Sequence, residues 1–163
     1  MRKKFCIAGA IGLACYGQAA NAGTSDGTML VGATILEACT IVAGPMAFGD
    51  VSLSGSDVDS TATLTLACTP NADFDILMND GAHADSGQRR MTSVLTGEFV
   101  PYDIYLDSGR SERWGNTVGT DTLAGSANLL GVATYTAYGR IASDADSVEA
   151  GVYSDSVIVT VSF

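Results

Sequence analysis

The sequence predicts an all-β sandwich, and three observations carry that prediction. No stretch places its apolar residues at a helical period. Several short runs alternate apolar and polar residues instead, the period of a half-buried strand. Clusters of Gly, Ser, Asp and Asn punctuate these runs at short intervals, with 19 glycines among 163 residues, a pattern of packed antiparallel sheets rather than of β–α units. No internal repeat is present, and there is room for one sandwich domain.

The first 22 residues read as an export leader. Arg2, Lys3 and Lys4 open it, residues 5–16 form a short apolar stretch, and Ala20-Asn21-Ala22 is a small-residue cleavage signature. A lipoprotein reading through Leu13-Ala14-Cys15 puts Gly12 where a Leu is needed. The apolar run is shorter than the ~20 residues that span a bilayer, and no later run comes closer, so no direct membrane insertion is expected. Removing the leader leaves five Arg and no Lys against 18 acidic residues, a net charge of −13. That surface excludes nucleic acid and anionic membranes as expected partners, because binding them depends on Lys and Arg neutralising phosphates.

Of four cysteines, Cys6 and Cys15 fall in the leader, and Cys39 and Cys68 remain. An even pair in an exported chain predicts one disulfide. A zinc site needs about four ligands, and His83 is the only histidine, so no metal or other cofactor is expected.

The elements follow in order. In residues 28–36, Met29, Val31, Ala33 and Ile35 share one face of an extended chain. Only Glu37 and Ala38 separate this run from Cys39-Thr40-Ile41-Val42, and neither is a turn residue. The first break is Gly44-Pro45. Residues 28–42 therefore make one extended segment of about 50 Å at ~3.3 Å per residue, whereas a strand in a small domain runs ~17–20 Å. Half of it must bend, project or pair elsewhere. Residues 46–49 predict a short strand and 50–60 a loop. Residues 61–68 are the cleanest strand, with Ala62, Leu64, Leu66 and Cys68 facing in.

Thr69-Pro70-Asn71 predicts a turn, and Phe74, Ile76 and Met78 the inner face of the next strand. Residues 81–88 read as a polar loop, and Arg89-Arg90-Met91 leads a short edge strand. Tyr102, Ile104 and Leu106 face inward on a strand with Pro101 at its mouth. Residues 117–128 predict a loop, 129–141 a strand around Thr134–Tyr138, and 143–151 an acidic loop. Val157, Val159, Val161 and Phe163 line one face of a closing strand over residues 156–163.

Several landmarks stand in a recognisable order. A Thr/Val-rich strand enters Cys39, followed by Phe48-Gly49 and Leu64-Thr65-Leu66-Ala67-Cys68-Thr69-Pro70. Then come Gly87-Gln88-Arg89-Arg90-Met91, Pro101-Tyr102-Asp103-Ile104-Tyr105, Trp114-Gly115, Tyr138-Gly139-Arg140-Ile141 and Gly151-Val152-Tyr153-Ser154-Asp155-Ser156-Val157. This resembles the spore coat protein U domain family, which includes the pilin subunits of archaic chaperone–usher (Csu-type) pili, and the match covers nearly all of the chain after the leader.

The resemblance implies an incomplete immunoglobulin-like β-sandwich completed by a donated strand. A periplasmic chaperone lends a strand to the open groove, and an outer-membrane usher exchanges it for the extension of the next copy. Carried over, the donor positions are Met29, Val31, Ala33 and Ile35, and the acceptor groove edge runs through Val157, Val159, Val161 and Phe163. A Cys39–Cys68 bridge would tie the first strand to the second. Met29 departs from the family, which often has an aromatic there. The implied organisation is a signal peptide over 1–22, a donor extension over 23–36 and the sandwich over 37–163. The implied product is a homopolymeric pilus on the surface of a Gram-negative bacterium, reached through the periplasm and serving adhesion or biofilm formation.

The remaining motifs carry bland readings. Gly23-Thr24-Ser25-Asp26-Gly27 fits a nucleophile elbow but lacks the flanking strand and helix that motif requires. His83 reads as a solvated side chain, Tyr153 as core packing, and Asp57, Asp59, Asp144, Asp146 and Glu149 as solvated acids without EF-hand spacing. Arg89 and Arg90 should pair with nearby carboxylates. No enzymatic activity is expected. The alternatives to a pilus subunit are a secreted coat protein and a small carbohydrate- or calcium-binding sandwich, which would be a stable monomer with every strand paired internally.

Overall fold

The structure, a computed structural model, describes residues 22–52, 55–143 and 148–163. The expected leader, with Cys6 and Cys15, and Asp144 and Asp146 of the acidic loop lie outside the described residues. The chain divides into two units, Met1–Thr34 and Ile35–Phe163. In the first, residues 22–34 carry no regular secondary structure and are exposed.

The second unit is an immunoglobulin-like sandwich of antiparallel strands, with no helix among the described residues. In order these are β1 (Cys39–Ala43), β2 (Val58–Cys68), β3 (Asp73–Met78), β4 (Arg89–Thr92), β5 (Phe99–Tyr105), β6 (Leu123–Ser126), β7 (Val132–Ile141) and β8 (Val159–Ser162). One sheet has the order β1-β2-β7-β5-β4 and the other β6-β3-β8.

The period of two decides which side chains meet. Ala62, Leu64 and Leu66 of β2 are buried while the threonines between them are exposed. Phe74, Ile76 and Met78 of β3 face them from the other sheet, beside Val100, Tyr102 and Ile104 of β5. Trp114 is wholly buried, and its indole N–H donates to the carbonyl of Ile76 at 2.8 Å.

Five sequence expectations need correction. The long extended segment becomes a strand only from Cys39, because a strand needs a ladder partner and Cys39–Ala43 finds one in β2. Residues 46–49 form no strand, although Met46 and Phe48 alternate with exposed neighbours. Residues 123–126, read as loop, form β6 because β3 supplies main-chain partners. The last strand is shorter than expected and spans only Val159–Ser162. Pro101 lies within β5 rather than at its mouth; β5 meets β7 only over Asp103–Tyr105, so no ladder bond is missed there.

The charged residues are more engaged than composition suggests. Arg89 is wholly buried and donates to the carbonyls of Met78, Asn79 and Trp114 and to Asp103 (2.7 Å). Arg90 pairs with Asp85 at 3.1 Å. Asp57 and Asp59, expected to be solvated, both bind Arg140, at 3.0 and 2.8 Å.

Candidate functional site

The domain has two poles about 35 Å apart, since β2 spans eleven residues at ~3.3 Å each. Cys39 and Cys68 stand opposite each other in the β1–β2 register and are joined by a disulfide, with Cα atoms 4.0 Å apart. They mark one pole. β1 leaves this pole, and β8 returns to it, because Ser162 pairs with Asp75 just past the turn after Cys68.

β1 and β8 are edges of different sheets, and away from the cystine pole the two chains part. Residues 44–51 continue from β1 along one wall, and residues 152–158 lead into β8 along the other. Between them opens a cavity of about 290 Å³. Its floor is Leu64, Met78, Tyr102, Ile104 and Ala137, and Met46, Phe48, Tyr153, Val157 and Val159 line its sides. A second cavity of about 780 Å³ continues it away from the cystine pole, sharing Met46, Phe48, Met91 and Tyr153. Together they form a long groove, its first part floored by apolar side chains and its continuation bordered also by Asp50 and Glu149.

The wall from β1 lies low over the sheet for a steric reason. A Cβ on Gly139 would sit 2.2 Å from the Met46 sulfur and 3.0 Å from the Phe48 ring. Glycine at that position of β7 lets both side chains press onto the strand. Phe48 then meets Tyr102 edge to face, with ring centroids 6.2 Å apart.

The other wall has one satisfied edge and one open edge. Ser154 exchanges both main-chain hydrogen bonds with Thr92, and the carbonyl of Ile158 accepts from the Asn79 N–H at 3.1 Å. The Ile158 N–H donates to the Asn79 side chain at 2.8 Å. Successive residues of an extended chain point their N–H and C=O groups in opposite directions. Tyr153, Asp155, Val157, Val159 and Val161 therefore aim theirs at the groove. Among the described residues, Tyr153, Asp155 and Val157 make no main-chain-to-main-chain hydrogen bond. This is a row of free donors and acceptors beside an apolar trough, the arrangement that accepts an added strand.

A polar cluster holds this wall in place. The Asp155 side chain is 2% exposed. It accepts hydrogen bonds from the Tyr102 hydroxyl (2.7 Å) and the Ala82 N–H (3.0 Å), and its oxygen lies 3.0 Å from His83 Nδ1. Burial pushes its carboxyl upward, but hydrogen bonds from Tyr102, the Ser156 main chain, His83 and Ala82 outweigh that and hold it below the usual carboxylate range. Burial and then Asp155 itself push the Tyr102 phenol well above its ordinary value. His83 is thus paired with a carboxylate rather than simply solvated. Tyr153 packs against the core as expected and also lines the groove, its hydroxyl donating to the Glu149 carbonyl at 2.8 Å.

Val157, Val159 and Val161 are half-buried with side chains turned to the core, and the first two line the groove. Phe163 follows β8 and is largely exposed. Met29, Val31 and Ile35, with Leu30 between them, are 83–95% exposed, and Ala33 is exposed as well. The groove wall formed by Met46 and Phe48 escaped sequence reasoning. Its signal is the alternation of these residues with Ala47, read there as a strand.

A family model described as Spore Coat Protein U domain matches residues 25–160. Protein U of Myxococcus xanthus is 27% identical over 161 residues, covering 88% of each chain. A crystal structure of the CsuC–CsuE chaperone–tip adhesion subunit pre-assembly complex, from archaic chaperone–usher Csu pili of Acinetobacter baumannii, superposes with a TM-score of 0.58 at 28% identity. The match covers 80% of this chain and 40% of that one.

Proposed function

The chain belongs to the Spore Coat Protein U domain family, and from that premise we propose that it is a structural subunit of a surface pilus assembled by the chaperone–usher pathway. The open groove carries this reading: an apolar trough whose β8-side wall has unpaired main-chain groups facing inward. The occupant is the segment 28–36 of the next copy, with Met29, Val31, Ala33 and Ile35 turned into the trough. Before assembly a periplasmic chaperone fills the same groove, and the outer-membrane usher catalyses the exchange. The similarity to a subunit solved with its chaperone supports the chaperone step. The product is a homopolymer on the cell surface, used for adhesion or biofilm formation.

Physical magnitudes favour polymer over monomer. Burying Met29, Val31 and Ile35 contributes ~1.5–3 kcal/mol each, and each main-chain hydrogen bond along the strand adds ~0.5–1.5 kcal/mol. These sums are comparable with the ~5–15 kcal/mol stability of a whole domain. The test is deletion of residues 23–36. Full-length subunits, released from chaperone, should form a ladder of oligomers that survives SDS without heating. The deletion variant should still be captured by the chaperone yet give no ladder, and a persisting ladder would refute strand donation.

A further inference from the structure

Two apolar loop tips occupy opposite poles of the domain. At the cystine pole, Leu129 and Leu130 form the turn between β6 and β7. The Gly131 carbonyl that follows accepts from the Cys68 N–H at 2.7 Å, which places this turn beside the disulfide. At the opposite pole, Val94 and Leu95 form the tip between β4 and β5. There Gly151 lies next to Ser93, and the Glu149 N–H donates to Glu98, so the tip flanks the far end of the groove. All four side chains are 79–90% exposed. An acidic exported chain gains no solubility from paired leucines at a loop tip.

We infer that these tips dock on each other, the Val94-Leu95 tip of one copy against the Leu129-Leu130 tip of the next, as a second interface along the polymer. The inference rests on the strand-donation reading and adds the geometry of the joint. A donated strand can run either way along β8. Antiparallel pairing is the more stable of the two, and it makes the strand leave at the pole carrying Val94 and Leu95. A parallel strand would leave at the cystine pole, where the acceptor's own chain emerges: Ala38 is bound there, its carbonyl accepting from the Thr69 N–H at 2.8 Å.

Only Glu37 and Ala38 separate Leu36 from Cys39. At ~3.3–3.6 Å per residue this link holds the next copy's Cys39 within about 10 Å of the groove's far end. The cystine pole of one copy is thereby forced against the opposite pole of its neighbour. A joint this short brings both tips within reach, and burying four large aliphatic side chains would stiffen it.

The experiment introduces Leu95→Cys and Leu130→Cys together in the full chain, assembles fibres and oxidises them. Expected is a covalent ladder that resists boiling in SDS and collapses on reduction, with neither single variant cross-linking. Wild-type fibres that form alongside double-variant fibres with no cross-link would overturn the docked tips and leave strand donation standing. Dimers from Leu130→Cys alone would show that like poles meet, overturning the antiparallel joint. Failure of the wild-type chain to give SDS-resistant oligomers would overturn both readings. Independently, fibres of a Leu129→Ser, Leu130→Ser variant should lose at least half their persistence length in electron micrographs; unchanged stiffness would overturn the proposal.

Discussion

Joining a second copy of residues 28–36 to Phe163 through a four-residue Asn-Gly linker should convert the subunit into a stable monomer. The geometry is specific. β8 ends at the cystine pole, so a short linker after Phe163 can form only a hairpin, returning the added strand antiparallel along the open side of β8. In that register Met29, Val31 and Ile35 replace solvent over Leu64, Met78, Tyr102 and Ile104, the floor of the groove. Three such side chains contribute roughly 5–9 kcal/mol, an upper range because the unfolded chain already hides some apolar surface. For a domain of this size each kcal/mol raises the melting temperature by about 4 °C. Even the lower figure predicts a rise of about 20 °C. The assay is a calorimetric scan against the same subunit kept monomeric by Ile35→Asp, with sedimentation to confirm one chain per particle. A melt within a few degrees of that reference would refute the groove as a strand acceptor.

Ile35→Asp itself should abolish fibres while leaving chaperone capture and the subunit's own melting temperature unchanged, because Ile35 is 84% exposed before assembly and a carboxylate in the trough is costly. Normal fibre yield would refute the assigned donor face. Replacing Cys39 and Cys68 by Ser opens a loop of 29 residues and should lower stability by ~3–4 kcal/mol, read as an earlier denaturant midpoint. Arg89→Met strands the carbonyls of Met78, Asn79 and Trp114 in the core, at a cost of about 3–5 kcal/mol; near-UV circular dichroism should show Trp114 loosened. Asp155 has a folded pKa below its unfolded value, so its stabilising contribution is complete above about pH 4 and fades as pH falls through the folded value. Asp155→Asn should flatten that acid limb of the stability curve, and an unaltered acid limb would count against the cluster's role.

The amino-acid sequence by itself determined the strands whose chemistry is local. Thr61–Cys68 and Asp73–Met78 alternate so regularly that the inward faces of Leu64, Leu66, Ile76 and Met78 follow from the period alone. The acidic balance of the chain and the prospect of a Cys39–Cys68 bridge are likewise readable from residue identity. Tertiary structure decided whatever depends on a partner distant in sequence. Leu123–Ser126 becomes a strand only because β3 lies beside it, whereas the more strand-like residues 46–49 join no strand ladder and become a groove wall. Arg89 looks like any surface cation until three carbonyls and Asp103 converge on it. The groove is the clearest instance: periodicity tells which way a side chain points, but an empty place beside a strand is a property of its neighbours.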